Sequence, residues 1–153
     1  MKTPLLLFFT VVFLLIIPAC ECGRTCSQTD RRFIVQFIYF GEDDVRPFIV
    51  KRYVRGTGFT VLRDSIYMNN LGPSYQLNGL PAFNLMEYDD DSTDFQYSLP
   101  SAGLIYRLSN TVLVTEKCQS CAKIYHIHSL GAYNLNGQSF TNADGQTGVI
   151  IQK

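Results

Sequence analysis

The sequence predicts an all-β domain, an antiparallel β-sandwich of immunoglobulin-like or transthyretin-like type, with a small β-barrel as the alternative. Three observations predict it. Short apolar runs, unbroken or of period two, recur along the chain, and no 3.6-residue helical pattern stands out. Gly, Pro and Asn clusters separate the runs at close spacing, giving roughly seven to nine strands. The 153 residues include 11 Phe and 9 Tyr but no Trp, and aromatic and β-branched side chains favour the pleated sheet.

The elements follow in order. Phe33 to Phe40 is apolar at nearly every position, which suits a strand covered on both faces. Gly41-Glu42-Asp43-Asp44 is a turn. Pro47 opens a second run, Phe48 to Arg55. There Phe48, Val50 and Val54 alternate with a wetter set of Ile49, Lys51, Tyr53 and Arg55. Gly56-Thr57-Gly58 ends it. Phe59 to Met68 reads as two short strands with a kink near Arg63-Asp64, and Asn69 to Ser74 as a loop. Tyr75–Leu77 and Phe83–Tyr88 are short strands flanking Gly79-Leu80-Pro81. Asp89 to Asp94 is an acidic loop, followed by a strand from Phe95 to Leu99 that stops at Pro100. Leu104–Leu108 and Thr111–Thr115 read as a hairpin around Ser109-Asn110. Lys123 to Leu130 is a further strand, with Ile124, His126 and His128 on one face. The Gly- and Asn-rich tail, Ala132 to Lys153, adds a last strand at Val149-Ile150-Ile151. No internal repeat or long linker interrupts the sequence.

The start of the chain predicts export. Lys2 precedes an apolar run of 13 residues, Leu5 to Ile17, which ends at Pro18-Ala19. That is a charged head, an apolar centre and a small residue at a cut site. It falls short of the ~20 residues a membrane-spanning helix needs. The expected organisation is a signal peptide over residues 1–19, a Cys-rich tether over 20–31 and one β domain over 32–153. Cleavage after Ala19 leaves 134 residues, with 12 basic against 13 acidic side chains. Such a near-neutral chain has no basic patch to steer it toward nucleic acid or an acidic membrane, and an envelope protein or glycan is left open as a partner.

Five cysteines occur, Cys20, Cys22, Cys26, Cys118 and Cys121. An odd count in an exported chain calls for an explanation, and Cys20 offers one as the first residue after the cut. Ile17-Pro18-Ala19-Cys20 resembles the lipobox of bacterial lipoproteins, with an aliphatic residue three positions before the Cys and a small residue directly before it. Pro18 departs from the commoner Ser or Ala. The resemblance implies a thiol at Cys20 alkylated by a lipid donor, and two or three acyl chains hold a protein stably where one holds it weakly. Further short likenesses are Arg32 to Phe37 soon after Cys20, Asp64-Ser65-Ile66-Tyr67-Met68 after a Gly-containing turn, and a strand into Cys118 followed by Lys123 to His128. Together they resemble the small uncharacterised lipoproteins of Bacteroidetes-type Gram-negative bacteria. What this implies is an all-β domain lipid-anchored to the outer membrane or another face of the cell envelope, with no enzymatic activity or catalytic residues to carry over. Cys20-Glu21-Cys22 also resembles the start of the netrin-like domain of secreted metalloprotease inhibitors, where the N-terminal Cys amine and carbonyl clamp the protease zinc. That pattern has cysteines in mid-chain, and residues 27–117 hold none.

With Cys20 lipidated, Cys22, Cys26, Cys118 and Cys121 remain, and four thiols allow three pairings. Cross-pairing the N-terminal two with the C-terminal two is preferred, since it closes loops near ~100 residues, each worth up to about 4–5 kcal/mol in the chain-entropy model. Cys118, Cys121, His126 and His128 also form the one metal-ligand pattern in the sequence, but an exported compartment favours disulfides over thiolate ligation. The acidic run lacks an EF-hand's Gly at the sixth position and Glu at the twelfth, where Asp94 and Pro100 stand. No phosphate loop, nucleophile elbow, His-Glu-x-x-His or other cofactor motif is present. The expected role is a non-enzymatic structural or binding module acting through its distal loops. The alternatives are a secreted inhibitor working through a free Cys20 and a Cys/His metal-binding exported protein.

Overall fold

The computed structural model describes residues 31–69, 71–73, 75–77, 80–88, 90–120, 123–142 and 148–153. The expected signal peptide, and the tether up to residue 30, lie outside these residues. Ten strands are described: β1 (Arg32–Ile38), β2 (Phe48–Val54), β3 (Leu62–Met68), β4 (Tyr75–Leu77), β5 (Leu80–Tyr88), β6 (Thr93–Leu99), β7 (Leu104–Ser120), β8 (Lys123–Leu135), β9 (Gln138–Thr141) and β10 (Gly148–Gln152). They form a four-stranded sheet, β10-β1-β5-β4, and a six-stranded sheet, β3-β2-β6-β7-β8-β9. Among the described residues each sheet keeps two open edges, so the barrel alternative is set aside and the sandwich stands.

The core lies between the sheets. Phe33, Val35 and Phe37 of β1 are buried, as are Phe48 and Val50 of β2 and Phe95, Tyr97 and Leu99 of β6. Phe37 meets Phe48 edge-on at 5.1 Å and Tyr97 at 5.7 Å, and Phe33 meets Phe95 at 5.7 Å. These are favoured T-shaped contacts, so the two sheets are joined chiefly through rings.

Four expectations need correction. First, β1 is not fully covered on both faces. Ile34 and Gln36 stay half-buried, because the apolar run reflects a central strand between β10 and β5 rather than a third layer. Second, β10 pairs with β1 in parallel, Val35 opposite Val149 and Phe37 opposite Ile151, so the sandwich is not wholly antiparallel. Third, the region before Met68 holds one strand, β3. The irregularity near Arg63-Asp64 is a bulge: Arg52 faces Asp64 and Tyr53 faces Leu62, leaving Arg63 as the extra residue. Fourth, Ser109-Asn110 is not a hairpin turn. β7 runs through it for 17 residues, with register shifts between Ser109 and Leu113. Asn110 takes φ 52° and its N–H donates to the Asp94 carboxylate at 3.3 Å. An Asn that tolerates the left-handed region serves a bulge as readily as a turn.

Beyond the bulge, Leu113–Ser120 pairs only with Lys123–Leu130 among the described residues. This two-stranded ribbon leaves the six-stranded sheet for ~26 Å, at about 3.3 Å per residue. It leaves at the end of the sandwich where β1 begins. Phe33 packs on Phe95 there, and Leu108, opposite Phe95, is followed by the ribbon.

The parallel β10–β1 contact is tight enough to test. A Cβ on Gly148 would stand 2.4 Å from the carbonyl oxygen of Ile34. Backbone cannot give way as a side chain can, so Gly148→Ala is expected to destabilise the fold by about 1–3 kcal/mol. Urea unfolding checks this: a lowered midpoint with an unchanged m-value is the expected result.

Candidate functional site

The sequence-predicted residues that fall among the described residues do not converge. Cys20, Cys22, Cys26 and Cys121 lie outside the described residues. Cys118 is disulfide-bonded, to a partner that is not among them. It faces Tyr125 across the ribbon, whereas Lys117 faces His126 and Thr115 faces His128. Residues opposite one another share a face and successive residues alternate. The two histidines therefore stand together on one face and Cys118 on the other. The Thr115 hydroxyl and His128 Nδ1 are hydrogen-bonded at 3.0 Å. Cys118 therefore stands apart from these imidazoles, and Cys121, the remaining member of the Cys118, Cys121, His126 and His128 pattern, lies outside the described residues.

The acidic stretch is bound to arginines. Asp90 pairs with Arg63 at 2.8 Å, Asp91 pairs with Arg31, and Asp94 approaches Arg55 at 3.8 Å. Burial works against an ionised Asp90, but hydrogen bonds from Thr93, Ser92 and Arg63 hold its carboxyl down to about 2. Asp94 is almost wholly buried. It accepts the N–H groups of Gly56 (3.1 Å) and Asn110 (3.3 Å), tying the β2–β3 loop and the β7 bulge to β6. These carboxylates organise one end of the sandwich; Asp89 lies outside the described residues.

A buried carboxyl sits between the sheets. Glu87 of β5 is 1% exposed and receives Arg52 Nη2 of β2 at 3.3 Å. Arg52 is shared with Asp64 of β3 at 3.6 Å. Desolvation outweighs Arg52 and pushes the Glu87 carboxyl up to about 7.

A concave site appears where the sequence analysis named none, on the outer face of the six-stranded sheet. Ile105, Arg107 and Ser109 of β7 form its floor. Phe59 from the β2–β3 loop forms one wall, and Asn136-Gly137 of the β8–β9 turn forms the other. The cleft measures about 490 Å³, within the range of small-ligand sites. Both walls are held by left-handed residues. Asn136 (φ 52°) and Gly137 (φ 82°) make the two-residue turn for which Asn-Gly is the strongest short signal. The Asn136 N–H donates to the Arg107 carbonyl and its Oδ1 accepts the Arg107 N–H, both at 2.8 Å.

Phe59 is the less ordinary wall. A bulky side chain at φ 63° costs roughly 1–3 kcal/mol and persists only where its surroundings over-determine it. Here they do. The Thr57 hydroxyl donates to the Val54 carbonyl and the Thr60 hydroxyl to the Thr57 carbonyl, each at 2.6 Å, and Gly56 is held by Asp94. The Phe59 ring then meets buried Tyr53 edge-on at 5.4 Å, and the Arg107 guanidinium lies over it at 5.4 Å. Gln96 Oε1 accepts Arg107 Nε at 3.4 Å. The guanidinium is thus oriented by a ring and an amide. Arg31, Arg46, Arg52, Arg55 and Arg63 each pair with a carboxylate; among the described residues Arg107 has none. The sequence offered no reason to single out Arg107, since its neighbours Phe59 and Asn136 are 48 and 29 residues away in the chain. No protein-family model, curated protein or solved structure matches this chain.

Proposed function

We propose that this chain is an exported, non-enzymatic binding module, cut after Ala19, acylated on Cys20 and held by that lipid at the outer membrane of the cell envelope. The observation that carries the reading is the Ile17-Pro18-Ala19-Cys20 boundary with its odd fifth cysteine. Three features of the fold support it. The sandwich begins at Arg32, so a short connection joins it to Cys20. Oxidised Cys118 fits a compartment outside the cytoplasm. The residues lining the cleft include no carboxylate, imidazole or thiol to move a proton near neutral pH, which favours binding over catalysis. The binding surface is the sheet face over β7 rather than the distal loops.

The same reading assigns the partner of Cys118 to Cys22 or Cys26. β7 stays extended through Ser120, carrying the chain away from Cys118 before Cys121 is reached. A disulfide needs Cα atoms within about 7 Å. The ribbon and the start of β1 share one end of the sandwich, where a bond between them would fasten the N-terminal segment. Intact mass of the mature protein, reduced and unreduced, tests both points. The expected result is acyl mass on Cys20 and a shift of four hydrogens on reduction, with Cys118 linked to an N-terminal peptide. A mature chain starting at an unmodified Cys20 would sink the lipid anchor and favour the secreted-inhibitor alternative.

A further inference from the structure

We infer that the cleft over β7 binds a small organic carboxylate: Arg107, Asn136 and Ser109 receive the anion, and Phe59 and Ile105 take an apolar or flat body. This rests on the reading of the domain as a binding module and deepens it. Arg107 spends Nε on Gln96 and keeps the donors of both terminal nitrogens. Asn136 spends its oxygen and its backbone N–H on Arg107, so its side-chain NH2 remains. The Ser109 hydroxyl donates or accepts. What is left is rich in donors and carries a positive charge, which calls for an acceptor-rich, negative ligand. A guanidinium fixed by stacking is suited to bidentate contact with a planar carboxylate.

Nearby charge agrees. Lys51 of β2 stands opposite Gln96, which stands opposite Arg107, so the row Lys51–Gln96–Arg107 crosses the outer face with two cations and no acid. Asp94 is the closest carboxylate by register, one step from Phe95 and hence beside Ser109. Its oxygens are taken up by Gly56, Asn110 and Arg55, and it does not line the cleft. The walls are apolar, so a bare inorganic anion would leave Phe59 and Ile105 unused. The cleft's volume suits one amino-acid residue or one sugar ring. Two sources share the required chemistry: a peptide C-terminus and an acidic sugar.

The test is a titration of the full mature chain in detergent micelles, followed by NMR at the Ile105 and Asn136 amides and the Arg107 Nε–H. The probes are N-acetyl-phenylalanine and glucuronic acid, each against its neutral counterpart, N-acetyl-phenylalaninamide and glucose. The expected result is saturable shifts in the cleft with a Kd of roughly 1 mM or tighter for at least one acid. The neutral counterpart should bind roughly tenfold more weakly. Which acid binds better distinguishes the two sources. Arg107→Gln should weaken binding roughly tenfold. Asn136→Asp keeps the acceptor for the Arg107 N–H and puts an anion in the cleft, so it should abolish binding while preserving the turn; it serves if Arg107→Gln does not fold. Equal binding of acid and neutral probe in the cleft overturns the carboxylate assignment and leaves the binding-module reading standing. Acids that shift residues only outside the cleft, or that do not saturate, overturn the inference; the lipid anchor is judged separately by mass.

Discussion

Replacing Phe37 by alanine is expected to remove about 3–5 kcal/mol of stability, the cost of emptying a fully packed aromatic site. A domain of this size is stable by only about 5–15 kcal/mol, so the variant should be partly or wholly unfolded at 37 °C. The reason is position. Phe37 is fully buried and its ring lies within 6.5 Å of four others, Phe40, Phe48, Tyr97 and Tyr106. Phe48, Tyr97 and Tyr106 belong to the opposite sheet, so the substitution loosens the contact between layers rather than one strand. Ile124→Thr is the control: Ile124 is 62% exposed on the ribbon, and its replacement should stay within about 0.5 kcal/mol. Loss of near-UV dichroism and binding of a hydrophobic dye in Phe37→Ala, with neither change in Ile124→Thr, is the expected pattern. A Phe37→Ala midpoint close to wild type would mean that the sheets are not held together through this ring.

The importance of Phe37 was readable from the sequence only in part. The block Phe33–Phe40 announces a strand, and period two puts Phe33, Val35 and Phe37 on one face. Which strands face it depends on contacts between residues far apart in sequence, and no local pattern encodes those. The parallel β10–β1 pair is of the same kind, since Val149-Ile150-Ile151 reads as a strand in either direction. The long strand β7 was misread for a different reason. Ser109-Asn110 has the composition of a turn, and the bulge it forms is stabilised by Asp94, 16 residues upstream. By contrast, β9 was legible and missed. Asn136-Gly137 between Leu135 and Gln138 carries the two-residue hairpin signal, set within a Gly- and Asn-rich tail. The cleft was not legible at all. Its decisive feature, Phe59 held at positive φ under Arg107, follows from hydrogen bonds within a loop whose sequence, Gly56 to Thr60, announces only a break.

Glu87 lies between these cases: a Glu at an inward strand position looks like an error in the pattern, and its burial gives the stability of the fold an unusual pH dependence. Its folded carboxyl titrates at about 7 against an ordinary value of 4.5, so between those limits the folded state holds a proton that the unfolded state has released. Stability therefore falls as pH rises through this window, and the protonated form is the stabilising one. A shift of this size corresponds to about 3 kcal/mol between pH 4.5 and pH 8. Arg52 does not rescue the ionised form. It reaches one oxygen at 3.3 Å and is shared with Asp64, while Glu87 Oε1 and the neighbouring Tyr97 hydroxyl are buried without hydrogen-bond partners. Asp90 works in the opposite sense. Its lowered carboxyl stabilises the fold above its ordinary value of 3.8, and that contribution is lost as pH falls toward about 2. The two limbs together predict greatest stability near pH 4–5 and a decline toward neutrality. Urea midpoints across pH 3–8 measure the profile. Glu87→Gln should flatten the neutral limb and exceed wild type at pH 8 by up to about 3 kcal/mol while matching it near pH 4.5. Arg52→Met should extend that limb to higher pH at the same slope, because a buried carboxyl without its cation resists ionisation further. A neutral limb that survives Glu87→Gln unchanged would assign the pH dependence to another group and leave Glu87 ionised beside Arg52 at neutral pH.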